Sequence, residues 1–192
     1  AAVRAGLEEV QHLVLGHDVR RWRVLSRSIA EPLRTVPSAR CAIETAVLDA
    51  FTRARGMSLV SFFGGAEQEL WSDLTITTGS IAAAEAAAER IAREGYRVLK
   101  LKVGGVSIDE DLARIEAARR GAPRCSFVLD ANAALTSVED ALKLASMAST
   151  GGGLGLFEQP LEREDLRGAA ALVAQGIPVC ADEGARSADD VV

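Results

Sequence analysis

The sequence predicts an α/β fold in which parallel strands alternate with helices. Short apolar runs recur every 24 to 28 residues, at 74–78, 98–103, 126–130, 154–158 and 178–182. Stretches of helical periodicity separate them, at 81–93, 108–120, 138–147 and 165–175. Regular strand–helix alternation of this kind is typical of βαβ units, whose strands form a parallel sheet.

Two architectures fit this alternation, an open doubly wound sheet and part of a (β/α)8 TIM-type barrel. A dinucleotide-binding doubly wound sheet carries a GxGxxG turn after its first strand. Thr78-Gly79-Ser80 does not supply that turn, and a P-loop is also absent from the sequence. Each of the later predicted strands instead ends in charged groups, as in barrels that build an active site at the carboxyl ends of their strands. The barrel is therefore favoured, with five of the usual eight strands present.

The chain before residue 65 has a different, helical pattern. Apolar residues recur at spacings of three and four over 1–15 and 38–55, with Ser38 as a candidate N-cap. Gly64-Gly65 marks a linker. We therefore expect a helical region over 1–65 and the first half of a barrel over 66–192.

Composition excludes several classes of protein. The 192 residues carry a net charge of −5 and are 48% apolar, as in an ordinary globular chain. The acidic balance argues against nucleic-acid binding, and no uncharged apolar run is long enough for a membrane span. Three scattered cysteines without a CxxC pair predict reduced, buried thiols, and the first residues do not resemble a signal peptide. These features predict a cytoplasmic enzyme or binding protein.

Carboxylates lie where three consecutive apolar runs end. They are Asp130, Glu158 and Asp182, and Asn132 and Glu183 follow closely. A single such carboxylate is often a helix N-cap or the partner of a surface lysine. Three on adjacent strands would repel and raise one another's pKa unless a cation neutralised them. Because no His or Cys accompanies them, the oxygen-only set favours Mg²⁺, or Mn²⁺, over zinc.

The run at 98–103 carries two lysines, Lys100 and Lys102, on one face. Leu99 and Leu101 form the opposite face, which we expect to pack on helices. Crowding, partial burial and a nearby cation would lower the pKa of these lysines toward neutrality and make a proton acceptor. The alternative is a solvated edge strand with exposed lysines.

Four segments carry a resemblance to a known family: YRVLKLKVG, FVLDANAAL, LFEQPLER and VCADEGARS. Together they resemble the enolase superfamily, in its muconate-lactonizing branch, from about residue 38 to the end. The resemblance implies a capping domain before the barrel and Mg²⁺ on Asp130, Glu158 and Asp182. It also implies Lys102 as a base, Lys100 as its electrostatic partner, and abstraction of a proton α to a carboxylate.

Within that branch, the segment WSDLTIT at 71–77 is similar to the first barrel strand of dipeptide epimerases of the Ala-Glu type. That similarity implies substrate contact by Thr75, and we also assign Asn132 to substrate binding. Asn132 is followed by Ala-Ala-Leu where the family often has Gln-Gly and an aromatic residue. A small carboxylate substrate, such as a dipeptide, and a homo-oligomer are expected.

Other interpretations stay open. A muconate-type cycloisomerase or an o-succinylbenzoate-synthase-like dehydratase would use the same residues, and a half-barrel could instead be a non-catalytic scaffold. The family places a second lysine base and an acidic pair on later strands, so we expect this chain to be part of a longer enzyme and inactive alone. Asp109, Glu110 and Asp111 are interpreted as favourable charge at a helix N-terminus.

Overall fold

The structure, a computed structural model, describes residues 1–66 and 69–191 and divides into two compact units, 1–69 and 70–192. In its described part, the first unit is helical. Its helices are α1 (Ala2–Val10), α2 (Trp22–Ala30), α3 (Pro37–Arg53) and α4 (Leu59–Phe62), with short 3₁₀ helices at Gln11–Leu13 and Val19–Arg21. None of the helices in the described ranges is long and apolar enough to cross a bilayer.

The helical expectations for this unit are corrected in two places. The helix predicted over 1–15 ends at Val10 and tightens into a 3₁₀ turn, and α2 was not predicted. The second predicted helix begins at Pro37, not after Ser38, because proline fits the first helical position, where no backbone N–H is needed. Leu25 and Ile29, four residues apart, form the buried face of α2, and a pattern of two residues is too short to predict a helix by itself.

The second unit alternates strands and helices as predicted. Its elements are β1 (Asp73–Ile76), α5 (Ile81–Arg93), β2 (Val98–Lys102), α6 (Ile108–Gly121), β3 (Ser126–Asp130), α7 (Val138–Ala148), β4 (Leu154–Glu158), α8 (Leu166–Ala174) and β5 (Val179–Cys180), with a 3₁₀ helix at Ala188–Val191. Each α-helix begins with a capping side chain that accepts a backbone N–H, contributed by Ser80, Ser107, Ser137 and Asp165.

All neighbouring strands are parallel, and their order in the sheet is β1-β2-β3-β4-β5. A doubly wound sheet would reverse direction at a switch point, whereas consecutive placement of every strand is the order found in a barrel wall. The α/β expectation with five parallel strands is therefore confirmed. The predicted strand over 178–182 is shorter than expected, because only Val179 and Cys180 pair with β4.

The core of this unit lies between the sheet and its helices. Leu99, Leu101 and Phe127 are fully buried and pack with Ile91 and Ile115 from α5 and α6. Strand β2 alternates between this buried face and a half-buried face. The alternation confirms that the two lysines of β2 point away from the helices.

Candidate active site at the carboxyl ends of the strands

Strand register places three of the predicted site residues in one row. Lys102 is the register partner of Asp130, and Asp130 is in turn the partner of Glu158. Thr75 on β1 is the register partner of Lys100, which lies two residues before Lys102 on the same face of β2. Because the strands are parallel and consecutive, residues that end neighbouring strands meet at one edge of the sheet.

Lys100 joins two of the predicted metal ligands. Its Nζ donates to Glu158 Oε2 at 2.6 Å and lies 2.8 Å from Asp130 Oδ2. The Lys100 side chain is 18% exposed and that of Asp130 only 1%. One ammonium group therefore bridges carboxylates from two adjacent strands.

The pKa of Lys100 differs from the expectation. Burial lowers this pKa, but the hydrogen bonds and charges of Asp130 and Glu158 raise it more, so its pKa lies above the ordinary lysine value. The predicted shift toward neutrality is therefore wrong for Lys100. Its nearest charges are carboxylates, and these favour the ammonium form.

Lys102 shares Asp130 Oδ2 with Lys100 and has a second acceptor of its own. Its Nζ donates to Asp130 Oδ2 and to Asn132 Oδ1, both at 2.6 Å. The Nδ2 amide of Asn132 donates in turn to Glu183 Oε1 at 3.1 Å. Asn132 thus connects the lysine of β2 to the loop after β5.

Asp130 is stabilised as a carboxylate by this arrangement. Burial raises its pKa, but hydrogen bonds from Lys100, Lys102 and the backbone N–H of Asn132 lower it below the usual value. Clustered carboxylates were expected to raise one another's pKa unless a cation neutralised them, and at Asp130 the ammonium groups of Lys100 and Lys102 are the neutralising cations.

The structure gathers two of the three predicted metal ligands. Asp182 lies two residues beyond Cys180, the register partner of Glu158, and is exposed. In residues 1–66 and 69–191, no three His, Cys, Asp or Glu side chains are grouped as metal ligands. The assignment of Asp130, Glu158 and Asp182 to a metal stays a prediction.

The chemistry of the strand ends nevertheless fits a hard dication. Lys100 already shows that Asp130 and Glu158 face a shared cation. Glu183 Oε2 is buried and has no hydrogen-bond partner in the described structure. Asp182 and Glu183 follow in the loop after β5, so the strand ends and this loop together carry four carboxylates against two lysines, a formal excess of negative charge. Oxygen donors and uncompensated negative charge are what Mg²⁺ requires.

The remaining predicted substrate contacts are accessible. Thr75 is exposed on β1. Asn132 has φ of 45°, and the next residue, Ala133, has φ of 62°, so the chain turns through the left-handed region directly after β3. This turn brings the Asn132 backbone N–H to Asp130 Oδ1 at 3.0 Å. Strained backbone of this kind is concentrated at functional sites.

Sequence reasoning missed Gln159, which organises the neighbouring loop. Gln159 is 7% exposed, and its Oε1 accepts the backbone N–H groups of Asp182 and Gly184 at 2.9 and 2.8 Å. Its Nε2 donates to Leu161 O at 3.0 Å. The signal available was a polar residue directly after an apolar strand, within a segment already noted for its resemblance.

Asp111 has a contact that the sequence analysis did not predict. It lies in the first turn of α6, as expected, but it is also 2% exposed and lies 3.0 Å from Arg114 Nη1, which is equally buried. The spacing of three residues on one helix was the available signal.

Strand order and site together define a βα-barrel protein with lysines and carboxylates side by side at the carboxyl ends of its strands. Comparison with known proteins identifies the family within this class. The family model of enolase C-terminal domain-like proteins matches residues 82–192, and the chain belongs to this family.

Curated relatives agree with this assignment. The chain is 42% identical over 190 residues to an aromatic dipeptide epimerase from Herpetosiphon aurantiacus, covering 98% of this chain and 53% of the relative. It is 30% identical over 184 residues to an L-Ala-D/L-Glu epimerase from Thermotoga maritima, covering 95% of this chain and 53% of the relative.

A solved structure extends the comparison. The dipeptide epimerase from Methylococcus capsulatus, crystallised in complex with a Mg ion, is 28% identical, with a TM-score of 0.84. The match covers 98% of this chain and 55% of that one. This chain therefore spans about half the length of the relatives it matches.

Proposed function

We propose that this chain supplies the first half of the active site of a Mg²⁺-dependent dipeptide epimerase. The observation that carries the proposal is the cluster of ion pairs among Lys100, Lys102, Asp130 and Glu158 at one edge of a parallel sheet. The similarity to dipeptide epimerases supports it.

Lys102 is the proton carrier in this proposal. Its side-chain nitrogen takes the proton from the substrate α-carbon, and the electron pair of the C–H bond stays on the substrate. A proton returned to the opposite face by a second base inverts the configuration. Each base then serves one stereoisomer as acceptor and the other as donor.

Lys100 has a different role. Its ammonium group, held between Asp130 and Glu158, places a fixed positive charge beside the site of proton transfer. Such a charge stabilises the negative charge that develops on the substrate when its proton leaves. Thr75 and Asn132 are proposed to contact the substrate at the rim.

Asp130, Glu158 and Asp182 are the residues proposed to hold Mg²⁺, or Mn²⁺. When bound, the ion polarises the substrate carboxylate and makes the adjacent α-C–H bond more acidic. The fit rests on the excess of carboxylates at this edge and on the unpartnered Glu183 Oε2.

The substrate class follows from the relatives. Ala-Glu dipeptides are the substrates first proposed, and the 42% identical relative adds aromatic dipeptides. The helical region over 1–65 is proposed as part of a capping domain, and the whole protein as a homo-oligomer.

The test follows dipeptides in D₂O by proton NMR, using the intact protein with Mg²⁺. L-Ala-L-Glu and L-Ala-L-Phe are supplied separately. We expect loss of an α-proton signal, appearance of the epimer, and loss of both effects when EDTA removes the ion. Conversion of a muconate or dehydration toward o-succinylbenzoate, without dipeptide exchange, would favour the alternative enzymes, and no turnover of any substrate would favour the scaffold.

A paired substitution tests the metal assignment. Glu158→Gln removes one proposed ligand charge, and we expect weaker Mn²⁺ binding, measured by electron paramagnetic resonance, together with slower turnover. Glu139→Gln on α7 makes the same chemical change at an exposed position and is the control. Unchanged Mn²⁺ affinity in Glu158→Gln would remove Glu158 from the ligand set.

A further inference from the structure

Behind the β2 end of the site lies a buried ion pair. Asp111 and Arg114 of α6 are each 2% exposed, and Arg114 Nη1 lies 3.0 Å from Asp111 Oδ1. Burying two charges is costly unless hydrogen bonds use their remaining donors and acceptors. The hydrogen-bond partners of Asp111 and Arg114 therefore indicate which parts of the structure this buried pair holds in place.

Arg114 binds the main chain at the ends of two strands. Its Nη1 donates to the carbonyl oxygen of Lys102 at 2.9 Å, and its Nη2 donates to that of Thr77 at 2.9 Å. Lys102 is the last residue of β2, and Thr77 follows β1 directly. One guanidinium thus fixes the spacing of two adjacent strand ends.

Asp111 fixes the turn that follows Lys102. Its Oδ2 accepts the backbone N–H groups of Gly104 at 2.7 Å and Gly105 at 3.2 Å. Gly104 has φ of 80°, and a Cβ there would lie 2.7 Å from the Cβ of Ala134. The turn is therefore close to its neighbours and conformationally restricted to glycine.

We infer that Arg114, through its pair with Asp111, is a positioning residue for Lys102. This inference rests on the proposed function, in which Lys102 carries the proton. Side-chain contacts with Asp130 and Asn132 hold the Nζ end of Lys102, and Arg114 holds its main-chain end. Because proton transfer is sensitive to displacements of about 1 Å, loss of the main-chain anchor weakens transfer on the face that Lys102 serves.

The experiment measures each face separately. In the intact protein, α-proton exchange in D₂O is followed by NMR for each epimer of a dipeptide, and Lys102→Ala identifies the epimer that Lys102 deprotonates. Arg114→Lys keeps the charge but cannot reach both carbonyl groups and Asp111 with a planar fork. We expect its exchange to slow about 10- to 100-fold more for that epimer than for the other.

Arg119→Lys is the matched control. Arg119 lies on the same helix and also donates to two backbone carbonyls, those of Cys125 and Ala148, at the opposite end of the sheet. We expect any loss in this variant to affect both epimers equally. Equal slowing of both epimers in Arg114→Lys would overturn the inference, whereas absence of exchange in the unmodified protein would overturn the proposed function instead.

A second variant and a second measurement test the inference if Arg114→Lys folds poorly. Asp111→Asn keeps the side-chain shape, but a single amide oxygen cannot serve both Arg114 and the two glycine N–H groups. The same epimer-selective loss is expected. In the unmodified protein, the Gly104 amide hydrogen should exchange slowly with solvent, and rapid exchange would show that the turn is not held.

Discussion

Gln159 joins the end of β4 to the loop that carries Asp182 and Glu183. Its side chain makes three hydrogen bonds, to the N–H groups of Asp182 and Gly184 and to the carbonyl of Leu161. Gln159→Met keeps the length of the side chain and removes all three. The variant therefore isolates the polar contacts from packing.

The cost follows from the number of partners left behind. A neutral hydrogen bond contributes about 1 kcal/mol net, and more where its partner stays buried, so we expect a loss of about 3 kcal/mol. For a chain of this size that corresponds to a fall in Tm of roughly 6 to 12 °C. Because the two bonded N–H groups bracket Glu183, we also expect weaker Mn²⁺ binding by the intact protein.

Urea unfolding followed by circular dichroism measures the change in free energy of unfolding. Gln175→Met on the exposed end of α8 introduces the same side chain and should change stability by less than about 0.5 kcal/mol. If Gln159→Met falls within the range of this control, the hydrogen bonds of Gln159 do not hold the loop.

Three further perturbations address the site and its surroundings. Lys102→Ala should abolish epimerisation. The epimer that the second base deprotonates should still exchange its α-proton, with its configuration retained. Equal exchange of both epimers would show that Lys102 is not the proton carrier. The expectation of buried thiols is confirmed for Cys125, which is 6% exposed, but it is wrong for Cys41, which is exposed. Burial raises the thiol pKa of Cys125, so a thiol reagent should label Cys41 first, and the thiolate of Cys125 should form only at higher pH. Mass spectrometry of timed samples would show the reverse order if the burial argument fails. Gly104→Ala should cost more than about 1 kcal/mol in urea unfolding and more than Gly153→Ala, because both have positive φ but only Gly104 is close to a neighbouring side chain.

Most of the second unit could be predicted because its local signals agree. Strand β2 alternates leucine and lysine, and the helices after it begin with Ser107 and Ser137 as side-chain caps. In the first unit, two apolar residues four apart gave too weak a pattern to reveal α2. Strand β5 was overestimated because its length depends on where β4 stops offering partners, and pairing is not encoded in the strand itself.

The placement of the site was predictable, but its electrostatics were not. In a parallel sheet with consecutive strands, the ends of β2, β3 and β4 must share one edge, so Lys102, Asp130 and Glu158 had to be neighbours. The pKa of Lys100 depends instead on which charges come within about 3 Å of its nitrogen. Sequence spacing does not determine that distance, and a change of nearest neighbour reverses the direction of the shift.

The burial of Asp111 is another property that sequence spacing alone does not determine. Three acidic residues at the start of α6 all satisfy the rule for charge at a helix N-terminus, yet only Asp111 faces the sheet and accepts the N–H groups of the turn after β2. The helix rotation that buries Asp111 also buries Arg114, since residues three apart share a face. Packing of α6 on the sheet therefore converts an ordinary surface pattern into an anchor for Lys102. The same packing that forms the core also determines the position of the proposed base.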